Sequence, residues 1–199
     1  MVAKPSRSQG RGDETKRMRR RELLCGVVVL LPVVALPAIA VADSPVASFV
    51  GTYNYAGDKA ERKARNAAID EVVRRMTPIA RGIARGKLQE ATAIPSHVTF
   101  AVDAKNLTVT EMESLTAPLD GSAVKVKGYD DADMKLTYEI AEAHIVQKLK
   151  GDGKGRHTHY ALPDQASLKV HVHVYAKQLP IPLDYDLTFA RPKSKGSRG

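Results

Sequence analysis

Four of the six histidines stand in two His-x-His pairs, His157 with His159 and His171 with His173, on either side of a turn-like segment at Asp164. Side chains two residues apart lie on the same face of a β-strand. The apolar residues that alternate with these histidines are expected to face the core, so the histidines are expected to face outward. An odd-length turn then sets His159 opposite His171 and His157 opposite His173, with Cβ atoms about 4.5–5.5 Å apart.

This arrangement would bring four imidazole rings together on one hairpin. Neutral imidazole is a ligand for zinc and copper. Three histidines with an open position activate water, whereas four favour storage or a structural site. No carboxylate is evident as the orienting partner that ligating histidines have. Two hypotheses remain: a zinc or copper site serving binding or hydrolysis, or a polar outer face without metal. The residues concerned are His157, His159, His171 and His173.

The elements that precede this hairpin are predicted to be one strand and two helices. The strand spans 48–55 and places three aromatic residues on one face, namely Phe49, Tyr53 and Tyr55. Asp58 begins a capping-box pattern, and apolar residues then recur at helical spacing over about 58–92. The apolar face is expected to continue through Ile79 and Ile83.

Beyond Pro95 the apolar residues alternate with polar ones, which predicts about eight further strands. Turns rich in glycine and aspartate separate them, among them the segment 151–156, which is interpreted as a hairpin loop. Short strands with one apolar face indicate an antiparallel sandwich or barrel, and closure removes exposed strand edges. We therefore predict a mainly β domain over 43–191: an up-and-down barrel with a helical pair after the first strand.

The stretch Gly51-Thr52-Tyr53 on the first strand, together with Arg191 just past the last strand, resembles the calycin superfamily of lipocalins and fatty-acid-binding proteins. The resemblance implies a barrel in which the Tyr53 ring packs under Arg191 and closes one end. The helical pair is similar to that of the fatty-acid-binding branch. A helix-grip fold is the alternative, although the long C-terminal helix customary for that fold is not evident in the sequence.

A calycin-like barrel implies a small apolar ligand in its interior, bound without catalysis. A barrel of about eight strands is wide enough for one small molecule, and aromatic walls with a few polar groups are typical of ligand pockets. The alternative is a filled barrel that serves as a structural module of the cell envelope. The candidate ligand-binding residues are Tyr53, Phe100, Tyr138, Tyr160, Tyr185 and Phe189.

The N-terminal 42 residues predict export. Residues 1–22 are polar and basic, and 23–42 form an apolar run without charge that ends in small residues. A positive region, an apolar region and an Ala-x-Ala exit are typical of a secretory signal; an uncleaved membrane anchor is the alternative. The domain is thus expected in the periplasm or outside the cell, or anchored to a membrane.

Charge and cysteine content narrow the classes of function. The net charge of +9 comes from the two ends, because 43–190 carries as many acidic as basic residues. A neutral body argues against a nucleic-acid partner. The basic tail 192–199 is expected to be disordered and available to anionic lipid or envelope polymer. The single Cys25 lies in the apolar run, so the domain has no disulfide and no thiol nucleophile. No catalytic residue set is evident, which favours binding over catalysis.

Overall fold

The computed structural model describes residues 45–128 and 131–192. The predicted leader at 1–22, the apolar run at 23–42 and the tail beyond residue 192 lie outside the described residues. Within the described part of the chain, no helix is both long enough and apolar enough to cross a membrane.

Ten strands form one antiparallel sheet that curls into a nearly closed barrel, with two helices between the first and second strands. The helices are α1 (Lys59–Arg74) and α2 (Pro78–Ala91). The strands are β1 (Gly51–Tyr55), β2 (His97–Val102), β3 (Asn106–Thr110), β4 (Ser114–Pro118), β5 (Val124–Lys127), β6 (Asp133–Ala141), β7 (His144–Lys150), β8 (Lys154–Ala161), β9 (Ser167–Ala176) and β10 (Leu183–Ala190).

The strand order is β4-β3-β2-β1-β10-β9-β8-β7-β6-β5. The first strand, β1, therefore pairs with β10. In addition, each strand is paired with the strand that follows it in sequence, except β4 with β5, which form the two edges of the sheet. The side chain of Tyr138 on β6 spans this remaining gap, because its hydroxyl donates to the Leu115 carbonyl at 2.8 Å. The predicted up-and-down barrel with a helical pair after strand one is confirmed.

A clasp at one end of the barrel joins the first strand to the last. The Arg191 guanidinium lies 4.7 Å from the centre of the Tyr53 ring and donates to its hydroxyl at 2.7 Å. It also donates to the carbonyls of Ser48 (2.7 Å) and Gln165 (2.8 Å). Gly51 has φ +126, and a Cβ there would lie 2.9 Å from Arg191 Nη1. The implied packing of Tyr53 under Arg191 is thus present.

The first strand is shorter than predicted. Residues Pro45–Phe49 form a short 3-10 helix, and β1 begins only at Gly51. Phe49 therefore does not alternate with the strand; it is fully buried, and its ring lies 5.6 Å from that of Phe100. A single turn of helix places this aromatic ring across the end of the barrel that the clasp closes.

The two helices pack on the barrel mainly through α1, which buries Ile69, Val72 and Val73. Asp58 caps α1, since its Oδ1 accepts from the Glu61 amide at 2.9 Å. In α2 the predicted continuation of the apolar face is wrong. Only Leu88 of α2 is buried, whereas Ile79 and Ile83 are 92% and 68% exposed. The new helix start at Pro78 turns this part of the face away from the sheet.

Candidate functional site

Strand register stacks the inward-facing side chains of β6–β10 in layers. Between two largely apolar layers lies a layer rich in polar side chains, drawn from paired residues of five adjacent strands. All of its members are buried. They are Tyr138, Gln147, Thr158, Val172 and Tyr185. The barrel core is thus crossed by hydroxyl and amide groups, of which the Gln147 amide donates to the Tyr138 hydroxyl at 3.0 Å.

The layer next to it contains an inward-facing arginine. Arg156 lies opposite Leu149 on β7 and Val174 on β9, and its side chain keeps 22% of its surface accessible. Leu149 and Val174 are also only partly buried. Arg156 thus stands in a layer whose neighbouring apolar residues, Leu149 and Val174, are partly accessible.

Glu111, just after β3, reaches Arg156 from the other side of the barrel. One carboxylate oxygen accepts from Arg156 Nη2 at 2.8 Å, and the other accepts from the Tyr160 hydroxyl at 2.8 Å. The Glu111 side chain is 13% exposed. Among the described residues, Arg156 Nε and Thr158 Oγ1 are enclosed and contact no hydrogen-bonding group. Two polar atoms beside a satisfied ion pair are thus covered by protein and lack a hydrogen-bond partner.

Electrostatics keep these groups in defined charge states. Burial, followed by the Glu111 carboxylate, raises the pKa of Tyr160 well above its usual value, so the hydroxyl stays protonated and donates. Burial disfavours the charge on Arg156, but the Glu111 carboxylate and the neighbouring Tyr185 and Tyr160 raise its pKa above the ordinary range. The site therefore contains one positive and one negative charge that largely cancel.

All six candidate ligand-binding residues are buried: Tyr53, Phe100, Tyr138, Tyr160, Tyr185 and Phe189. They do not form one continuous wall. The Phe100 ring stacks edge-on against Tyr160 at 5.1 Å and against Tyr53 at 6.0 Å, which fills the end of the barrel near the clasp. Tyr138 and Tyr185 belong to the polar layer. A ligand role for these six residues stays a prediction.

The predicted register of the histidines is confirmed. His159 pairs with His171 and His157 with His173, and the ring centres are 6.0 and 5.9 Å apart. Tyr175 stands at 5.4 Å from His157 and adds an aromatic edge to this outer face. Burial and nearby positive groups lower the pKa of His157 and of His159.

Carboxylates do accompany these histidines, contrary to expectation. His171 Nδ1 lies 2.8 Å from Asp186 Oδ1, and His173 Nδ1 lies 2.7 Å from Asp184 Oδ1. Both aspartates project from the outer face of β10, opposite their histidines. Over the described residues, however, no group of three or more histidine, cysteine or acidic side chains is arranged to hold a metal ion. A zinc or copper site at the four histidines thus gains no support and stays a prediction.

Two solvent-open clefts lie on the helical side of the domain. One, of about 430 Å³, runs between α1 and α2 and is lined by Asp70, Val73 and three arginines. The other, of about 640 Å³, lies where α1 meets the chain before β2, beside Tyr55 and Ile94. Arginine side chains line part of both clefts.

Sequence reasoning missed Arg156 and Glu111. Arg156 was assigned to the glycine-rich loop, whereas β8 begins at Lys154. Alternation along the strand was the available signal, because Arg156 is two residues from Thr158 and four from Tyr160, and both of these face inward. Glu111 follows β3 in a turn, where no periodic pattern predicts the direction of a side chain.

No family model and no curated protein matches this chain. Among solved structures, it is similar to a Schistosoma mansoni fatty acid binding protein in complex with arachidonic acid (15% identity, TM-score 0.45, 74% of this chain and 98% of that one). It is also similar to the fluorescent protein UnaG (18%, 0.47, 74% and 99%) and to apo Caenorhabditis elegans lipid binding protein 8 (8%, 0.46, 73% and 96%). The strand order and the helical pair of this chain are those of the predicted up-and-down barrel with two helices after the first strand.

Proposed function

We propose that the barrel binds a small apolar molecule with one hydrogen-bonding end, and that the protein acts as a carrier or sensor of it. The observation that carries this proposal is the polar layer with Arg156 beside it. Burying hydroxyl, amide and guanidinium groups is costly unless each is hydrogen-bonded. Apolar walls with a few convergent polar groups are the usual composition of a ligand site.

The partly accessible residues of β7–β9 support a position for the ligand. Leu149, Arg156 and Val174 form one paired layer and are partly accessible, whereas aromatic rings pack around Phe100 towards the clasp. We place an apolar chain against the inner face of β7–β9, with its polar end directed towards Arg156 Nε and Thr158 Oγ1. If the barrel were only a filled structural module, its core would have no reason to contain polar atoms without hydrogen-bond partners.

A tryptophan scan of β9 tests this proposal. Val174 faces the accessible interior, so Val174→Trp should block the site and weaken binding of the neutral dye Nile red at least ten-fold. Lys169→Trp places the same ring on the outer face of the same strand and should leave dye affinity unchanged within two-fold. Equal affinities of both folded variants and wild type would contradict binding inside the barrel.

The location of the protein belongs to the same proposal. The leader at 1–22 and the apolar run at 23–42 support export to the periplasm or the cell exterior. N-terminal sequencing of protein recovered from the envelope fraction separates a cleaved signal, with a new terminus near residue 43, from a retained anchor.

Contact with an anionic membrane surface is supported by α2. Its two isoleucines, Ile79 and Ile83, are one turn apart and exposed, and the exposed Lys87 follows one turn later on the same side of the helix. Exposed apolar residues beside a cation favour the interface of anionic lipid. Ile79→Ser with Ile83→Ser should reduce co-sedimentation with phosphatidylglycerol vesicles. Met112→Ser removes an exposed apolar residue elsewhere and should not; equal loss in both variants would contradict a role for α2.

A further inference from the structure

The ion pair inside the barrel bears on which ligand the proposed site accepts. Arg156 is the cation nearest to the polar layer, and Glu111 occupies it at 2.8 Å. Both oxygens of Glu111 are engaged, one by Arg156 and one by Tyr160. The pair is largely screened from water, since the two side chains are 22% and 13% exposed.

From this pairing we infer that the ligand is an uncharged apolar molecule with a hydroxyl or carbonyl end, and not a carboxylate. The inference rests on the proposed function and adds the charge of the ligand to it. A carboxylate placed near Arg156 would lie beside the carboxylate of Glu111. Like charges repel strongly where water is scarce, and parting Arg156 from Glu111 would leave a buried charge without its partner.

The site contains hydrogen-bonding atoms that suit an uncharged end group. Arg156 Nε is a donor and Thr158 Oγ1 is both donor and acceptor, and both are enclosed without a partner among the described residues. Arg156 and Thr158 are two residues apart on β8 and face the same interior. Both atoms are covered by neighbouring side chains, so a ligand reaches them only when those side chains move aside. A hydroxyl or carbonyl oxygen that then contacts them gains hydrogen bonds and leaves the pair with Glu111 intact.

Two probes that differ only in their end group test the inference: dodecan-1-ol and dodecanoate, each competing with Nile red at pH 7.5. In the wild type, dodecan-1-ol should bind at least ten-fold more tightly than dodecanoate. Glu111→Gln keeps the size of the side chain and an acceptor oxygen for Tyr160 but removes the negative charge. It should improve dodecanoate affinity at least ten-fold relative to dodecan-1-ol affinity.

The double variant Glu111→Gln with Arg156→Gln is the matched control, because it removes both charges. Its dodecanoate affinity should return to within about three-fold of the wild-type value. Far-UV circular dichroism and urea midpoints establish that the variants are folded. If Glu111→Gln does not fold, the wild-type ratio of the two probes decides the matter by itself.

Each result separates this inference from the proposed function. Wild-type protein that binds dodecanoate as tightly as dodecan-1-ol, or a folded Glu111→Gln variant with an unchanged ratio, overturns the inference and leaves a ligand-binding barrel. Wild-type protein that binds neither probe nor Nile red overturns the proposed function and the inference with it.

Discussion

Replacement of Arg191 by methionine probes the clasp that closes the barrel. The guanidinium donates to the Ser48, Val50 and Gln165 carbonyls and to the Tyr53 hydroxyl, over distances of 2.7–3.1 Å. Methionine keeps most of the apolar stem but loses these four hydrogen bonds and the cation–π contact with the Tyr53 ring. Among the described residues, no acidic side chain takes part in the clasp, so the loss is one of hydrogen bonding and stacking.

The magnitude follows from these contacts. Hydrogen bonds to a charged group contribute about 1.5–3 kcal/mol when well buried, and a cation–π contact contributes about 0.5–1 kcal/mol at an exposed site. Arg191 is only half-buried, so its hydrogen bonds compete with water. Ordering the arginine side chain also costs about 2 kcal/mol of conformational entropy in the wild type, and the variant does not bear this cost. We therefore expect Arg191→Met to lower the free energy of unfolding by about 2–3 kcal/mol.

Urea unfolding followed by far-UV circular dichroism measures this change. With an m-value of about 2 kcal/mol/M, the midpoint should fall by about 1–1.5 M. Arg75→Met is the control, because Arg75 is exposed and pairs only with the neighbouring Glu71. It should change stability by less than about 0.5 kcal/mol. A loss for Arg191→Met no larger than that of the control would refute the role assigned to the clasp.

Three further outcomes are expected. Gly51→Ala should lose about 1–3 kcal/mol of stability, because φ is +126 and the new Cβ would crowd Arg191; a neutral result would contradict the close approach. Gly82→Ala in α2 meets nothing within 4 Å and should gain about 0.5–1 kcal/mol. Burial lowers the pKa of His157 and of His159, so the unfolded chain takes up protons first as pH falls below about 6.5, and the urea midpoint should drop between pH 7.5 and 5. His157→Gln with His159→Gln should flatten that dependence, and an unchanged dependence would contradict the effect of burial on these two rings.

The barrel was predictable because its strands alternate strictly. Parity places the four histidines on one face, since a one-residue slip would reverse every side chain, and the odd-length turn sets His159 opposite His171. The same argument would have found Asp184 and Asp186, which alternate with buried residues of β10. They lie outside the hairpin, and the pairing of β9 with β10 brings them beside His173 and His171.

Other features depend on three-dimensional packing that sequence patterns do not contain. Ile79 and Ile83 have helical spacing, but whether that face meets the sheet depends on the turn between α1 and α2. In the sequence, Phe49 continues the alternation of β1, but in the structure it belongs to a 3-10 helix that places its ring across the barrel end. The contact between Glu111 and Arg156 joins residues 45 positions apart in the sequence.

Native mass spectrometry of the untagged protein, incubated with a neutral lipid fraction, tests the central claim most directly. Binding inside the barrel predicts one uncharged small molecule per chain for wild type and for Lys169→Trp, and almost none for Val174→Trp. A mass equal to that of the chain alone in all three samples, with the fold intact, would contradict the account and favour a solid structural barrel.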